Sequence, residues 1–215
     1  MQVGDSLYLI ADSDATNPSM NCLTNLNDRR QNLRSVRKSA PPNKRGAPGL
    51  ANFNDICIFI GGGHDADDRD MSSVDMYTIE FDDWSSAPEL NQARSGLSIC
   101  AQGDKLYALF GYLYSQDTNV NMIETLDARK WIDGVQVEWT VLHLASGEIS
   151  PRGDVLVKPI GPNELAILGG DCDDMMLSDA TILNTETNTA ETHVQKGQDF
   201  IFSSLCQQSY MIGSS

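Results

Sequence analysis

Carboxylates gather three times along this chain, each time just after an apolar run: Asp12-Ser13-Asp14, Asp65-Ala66-Asp67-Asp68 and Asp171-Cys172-Asp173-Asp174. Grouped acids have three common uses. They can hold a hard cation, which needs about six to eight converging oxygens. They can steer a basic partner through their summed field. They can also simply fill turns, because Asp tolerates turn dihedrals and hydrates well. His64 to Asp70 is rich in ligand atoms, but its spacing is not the D-x-D-x-D-G of a calcium loop, and Arg69 interrupts it. The glycines ahead of it, Gly61 and Gly62, could instead begin a phosphate loop. Such a loop leads at once into a helix with a lysine near its start. MSSVDMYTIEF, residues 71–81, is strand-like and has no lysine.

The charge is segregated. The formal net charge of the 215 residues is -15, yet Arg29, Arg30, Arg34, Arg37, Lys38, Lys44 and Arg45 supply seven of the fifteen basic groups. Everything after position 45 carries eight basic groups against twenty-six acidic ones, which argues against nucleic acid as a ligand. The basic segment 29–45 has two readings: it neutralises the acids internally, or it holds an acidic peptide. Pro41-Pro42 and its few apolar residues also suit a solvated loop. Cys22, Cys57, Cys100, Cys172 and Cys206 are odd in number and never spaced as C-x-x-C, so neither a disulfide framework nor a zinc site is expected. Reduced thiols and the lack of any long apolar span or signal-like start predict a soluble, intracellular, cytoplasmic protein without a membrane partner. His64, His143 and His193 fall at unrelated positions, and no catalytic residue, metal site or cofactor is expected.

The elements that must position these groups repeat. GDSLYLIADSD from Gly4, NDICIFIGGGHD from Asn54, GDKLYALFGY from Gly103 and PNELAILGGDC from Pro162 align a polar turn, a strand and a small-residue stop at offsets of 50, 49 and 59. An arginine before an earlier apolar strand recurs at Arg45, Arg94 and Arg152, with steps of 49 and 58. Further strands follow in VDMYTIEF, NMIETLDA and SDATILNTE, then in DWSSAPEL, VEWTVLHL and, weakly, AETHVQKG. Four strands per unit and no convincing amphipathic helix predict an all-β protein. The approximate units are 1–45, 46–93, 94–150 and 151–198, with 199–215 left over, all in one domain.

Gly61-Gly62 after an apolar strand, then Tyr77, Trp84 and Arg94-Ser95-Gly96 make a stretch that resembles one full kelch repeat. The third unit keeps only Gly111 of the glycine pair and has Leu126 for the tyrosine. The fourth keeps Gly169-Gly170 but has no tryptophan. The resemblance implies a kelch-like β-propeller of about four four-stranded blades. It is either closed by exchange of strands between the termini, or a segment of a larger ring. Closure is suggested because the first unit reads as starting at its second strand, while IFSSLCQQ reads as a spare first strand.

Within that resemblance Gly61, Gly62, Gly169 and Gly170 are structural, allowing close approach of neighbouring strands. Tyr77 and Trp84 fill the space between blades. The loops after the second strands emerge on the face where the family holds partners, which brings Asp65, Asp67, Asp171 and Asp173 to one surface. Arg94, Ser95 and Arg152 resemble the mouth residues of kelch adaptors, and Arg45 of the basic segment would act with them on an acidic peptide. The implied function is a non-enzymatic scaffold for another protein. The alternative is a propeller enzyme of the oxidase or sugar-isomerising type, because fold alone does not decide activity.

Overall fold

The structure, a computed structural model, describes residues 1–12, 18–24, 34–173 and 175–194. Its strands form four four-stranded antiparallel sheets, each in simple chain order, plus one two-stranded hairpin. The first sheet holds β1 (Gln2–Val3), β2 (Ser6–Asp12), β3 (Pro18–Thr24) and β4 (Arg34–Lys38). The second holds β5 (Gly49–Phe53), β6 (Cys57–Gly61), β7 (Val74–Thr78) and β8 (Asp83–Ala87). The third holds β9 (Ser98–Gln102), β10 (Lys105–Leu113), β11 (Thr118–Asp127) and β12 (Thr140–Val141), with a short helix α1 (Ala128–Ile132) before its last strand. The fourth holds β13 (Leu156–Gly161) and β14 (Glu164–Leu168), then β17 (Asp179–Asn184) and β18 (Thr189–Val194). The hairpin of β15 (Asp171–Cys172) and β16 (Met175–Met176) stands between β14 and β17.

Side chains alternate across a strand, so a strand packed on both faces must be apolar at every position. The second strand of each inner sheet meets this demand. On β6, Ile58 joins Tyr8, Met20 and Tyr77 in a core between the first and second sheets. Its neighbours Cys57 and Phe59 join Phe53, Leu97 and Leu106 in a core between the second and third. On β10, Leu106 and Ala108 face that same core, whereas Tyr107 and Leu109 face a third one with Val157, Leu165 and Ile167. Four sheets thus stack in series through three cores, the arrangement of kelch-like blades.

Several expectations change. β1 pairs with β2, Gln2 opposite Leu7, so the first sheet has its own first strand. β18, a weak strand by sequence, pairs with β17 from Asn184 opposite Thr189 to Asp179 opposite Val194. α1 exists because the third unit inserts residues before Trp139. Asp127 caps it by accepting a hydrogen bond from the Lys130 amide at 3.0 Å. Five residues are too few to show a helical period. The strand exchange assigned to 199–215, Ser13 with the acids Asp14 and Asp174, and the basic residues Arg29 and Arg30 all lie outside the described residues.

In the second and third blades a tryptophan ties the linker to the blade it enters. The Trp84 indole N–H donates to the Ser39 carbonyl at 2.9 Å, and that of Trp139 donates to Pro88 at 2.8 Å. Trp84 is only half-buried, however, and leans on the fully buried Tyr77 with ring centroids 5.2 Å apart. Trp139 is the core tryptophan. The fourth blade has no tryptophan and ties its linker by backbone instead, with Ala190 N–H on Ser146 at 3.0 Å and Ala145 N–H on Asn188 at 2.7 Å.

Candidate partner-binding face

The site begins with one recurring backbone device. Gly46 and His64 exchange hydrogen bonds at 2.8 and 3.0 Å; Ser95 and Tyr112 do so at 3.0 and 2.8 Å; Gly153 and Asp171 do so at 2.9 and 3.0 Å. Each pair joins the segment entering a blade to the end of that blade's second strand or the loop just after it, so both emerge at the same end of the sheets. Blades are linked at this end too. Gly63 N–H donates to Arg94 and Gly111 N–H to Arg152, both at 2.9 Å. Asp154 N–H reaches Gly96, and Gly96 N–H reaches Ala47, also at 2.9 Å.

These approaches need the glycines, which in the second blade act one position later than the sequence alignment places them. The left-handed pairs are Gly62-Gly63, Phe110-Gly111 and Gly169-Gly170. A Cβ on Gly63 would lie 2.6 Å from the Gly46 carbonyl oxygen, and one on Gly170 would lie 2.7 Å from that of Gly153. Gly61 itself is a strand residue, kept small by Ile99 of the next blade. Phe110 holds the left-handed conformation, φ +60°, without being glycine.

The arginines expected at the mouth are enclosed instead. Arg45 pairs with Asp75, Arg94 with Glu124 and Arg152 with Asp179, the last through two bonds of 2.8 and 2.9 Å. Arg94 and Glu124 have 0% side-chain exposure. Each guanidinium also caps the carbonyl that precedes a glycine: Gly62 at 3.0 Å, Phe110 at 2.7 Å and Gly169 at 2.9 Å. Burial pulls the Arg45 and Arg94 pKa values down, opposed by the paired carboxylates. Ser95 is buried as well, held by its bridge to Tyr112. These four residues brace the face from behind and offer a partner no side-chain surface. Their carboxylate partners escaped sequence reading, although Asp75 and Glu124 repeat with the same 49-residue step as Arg45 and Arg94.

Asp67 and Asp173 are exposed, whereas Asp65 and Asp171 are partly so and Asp171 Oδ1 is enclosed. Asp65 accepts hydrogen bonds from the Asp67 and Arg69 amides at 2.9 and 3.0 Å and from the Arg69 side chain at 3.0 Å. The two amides chiefly hold its carboxyl below the usual range. Arg69 also bonds Asp67. Asp171 sits in β15, and Asp173 turns the hairpin at φ +48°. Beside them Met175 and Met176 are 63% and 83% exposed. Cys172 keeps a raised pKa, first from desolvation and then from Asp173. The loops touch across blade boundaries: the Tyr114 ring lies 4.9 Å from His64, and the Asn119 amide donates to the Asp171 carbonyl at 2.8 Å. Tyr114 was not singled out for binding, and His64 only as a candidate cation ligand, because the two occupy different positions within their repeats.

Cys22, Cys57 and Cys100 are free and buried, and Cys172 is free and partly buried. Among the described residues, no group of three or more His, Cys, Asp or Glu side chains is arranged to hold a metal ion. None of their helices is long and apolar enough to cross a membrane.

Fold and face together define a kelch-like set of blades. Comparison with known proteins agrees. The chain is 26% identical over 97 residues to an F-box/kelch-repeat protein of Arabidopsis thaliana, a match covering 45% of this chain and 27% of that protein. It is 35% identical over 66 residues to human Kelch-like protein 4, covering 30% of this chain and 9% of that one. The chain therefore spans a minor part of either relative's length. No family model matches it.

Proposed function

We propose that this chain is a non-enzymatic scaffold that binds another protein through the loop face of its kelch-like blades. The observation that carries the reading is the contact between successive blades at this end, Tyr114 on His64 and Asn119 on Asp171, which joins the separate blade ends into one surface. Asp65, Asp67, Asp171 and Asp173 are the partner-facing charges. The buried arginines fix the backbone beneath them. Likeness to an F-box/kelch-repeat protein and to Kelch-like protein 4 supports the kelch-like part of this reading.

The test is capture of partners from a cell lysate at low and at high ionic strength, followed by mass spectrometry. The chain is compared with a variant carrying Asp65→Asn, Asp67→Asn, Asp171→Asn and Asp173→Asn. The expected result is a set of proteins lost both at high salt and with the variant, whose urea midpoint stays unchanged because exposed charges contribute little to stability. Capture of the same proteins by both forms, with the same salt dependence, overturns the assignment.

A further inference from the structure

The first and fourth sheets each hold an apolar face that belongs to no core among the described residues. In the first sheet, Tyr8, Met20 and Cys22 join the core shared with the second. Side chains alternate along a strand, so Leu7, Leu9 and Leu23 point the other way. In the fourth, Leu165, Ile167 and Leu183 join the core shared with the third, which turns Leu168 and Ile182 outward. These five outward residues are partly exposed, and none of the three cores joins the first sheet to the fourth. Both faces sit at blade-docking positions. Leu106 and Leu165, five residues before Gly111 and Gly170, meet the preceding blade, whereas Leu109, two before Gly111, meets the following one. Leu7 follows Gly4-Asp5-Ser6 as Leu106 follows Gly103-Asp104-Lys105, and Leu168 stands two before Gly170 as Leu109 does before Gly111. The first sheet therefore presents the preceding side of a blade junction and the fourth its following side. Their charges are complementary as well. Residues 1–45 carry seven basic groups against four acidic, and 151–194 carry two against eight. On the faces themselves, exposed Arg37 shares a row with Asn21 and Leu9, and exposed Glu191 shares one with Ile182 and Ala166. Each ends its row on the outermost strand. Lys158 lies at the other end of the Glu191 row, on β13.

We propose that the fourth sheet of one copy packs against the first sheet of a second copy, and reciprocally, so that two chains of four sheets close one ring of eight blades. Within the chain, successive blades meet first strand against first strand, β5 on β9 and β9 on β13. The same stacking carried past the fourth sheet sets β13 beside β1 of the second copy and β18 beside its β4. Glu191 then approaches Arg37 of the second copy, over a core of leucines from both. A head-to-tail contact of this kind gives a closed ring when the rotation per blade fits, and propellers close with about four to eight blades. The contact uses sheet faces and not the loop face, so it does not rest on the reading of that face.

The test is sedimentation velocity of the full chain over a range of concentrations, at low and at high ionic strength. The expected result is a particle of twice the chain mass and no larger, with a dissociation constant that rises with salt. Leu9→Glu on the first face and Leu168→Glu on the fourth each leave only monomer. An equimolar mixture of the two variants regains a dimer, because each supplies the intact face that the other lacks, and this recovery requires that both be folded. Arg37→Glu and Glu191→Arg each weaken the dimer by about two- to fivefold at each of its two junctions, and the double reversal recovers it. A chain that stays monomeric at every concentration overturns the proposal and gives the two faces to another protein or another part of the chain. A dimer that Leu9→Glu abolishes and Leu168→Glu leaves intact overturns it in favour of a symmetric contact through the first sheet. Oligomers that keep growing with concentration overturn the closed ring.

Discussion

Phe110 is the residue at which local and global demands conflict most openly. The neighbouring blades have Gly62 and Gly169 at its position, with φ near +62°. Phe110 takes the same left-handed backbone so that its carbonyl can meet Arg94, while its buried ring lies 5.9 Å from the Arg152 guanidinium carbon. Removing the ring destabilises by about 3 to 5 kcal/mol. The backbone effect runs the other way: Phe110→Gly is expected to be more stable than Phe110→Ala by about 1 kcal/mol, because a Cβ is disfavoured at positive φ. Equal urea midpoints for the two would contradict the left-handed assignment. The Arg94–Glu124 pair makes a second residue-scale prediction. Glu124→Gln leaves an enclosed guanidinium short of its counter-charge and costs about 3 to 5 kcal/mol. Replacing both members by apolar residues costs less than the sum of the single changes, unless the carbonyls at Phe110, Gln92 and Ala108 are Arg94's main role.

Among elements, the outer strands show how a linker is held. Trp139 is enclosed and Trp84 is half-buried, so Trp139→Ala is expected to cost about 3 to 5 kcal/mol and Trp84→Ala clearly less, by urea denaturation. β8 is also linked through Asp82, which accepts from the Ser39 amide at 2.9 Å and the Tyr77 hydroxyl at 2.7 Å. Those two bonds hold the Asp82 carboxyl below its ordinary value of 3.8. A depressed carboxylate stabilises the fold above its unfolded pKa, and that contribution is lost as pH falls through the folded value. Asp82→Asn therefore has a shallower decline of the unfolding midpoint between about pH 5 and 3; an unaltered acid limb would rule this linkage out. The strands themselves were readable from sequence, because a strand buried on both faces leaves an apolar run and a four-strand unit leaves a period. Asp75 and Glu124 were not, since a carboxylate inside a strand reads as solvent-facing until its arginine is placed opposite. The glycine register slipped because Gly61, Gly62 and Gly63 are consecutive and only backbone angles tell them apart. Tyr114 and His64 meet only once two blades are packed, so no spacing within one repeat brings them together.

On the scale of the molecule, each core is shared only by neighbours in the chain, so stability is close to a series of nearest-neighbour interfaces. The three tryptophans are unevenly spread along that series. Trp84 packs against the core between the first and second sheets, while Trp131 and Trp139 belong to the one between the second and third. The core between the third and fourth sheets, built on Leu109, Val157, Leu165 and Ile167, has none. Indole emission is therefore blind to the last boundary. If the fourth sheet detaches before the others in denaturant, circular dichroism records an early loss of strand signal while fluorescence stays native. A tryptophan introduced by Tyr107→Trp would bring the two transitions back into register with that step. Coincident curves for the unmodified chain would mean instead that all four sheets come apart together.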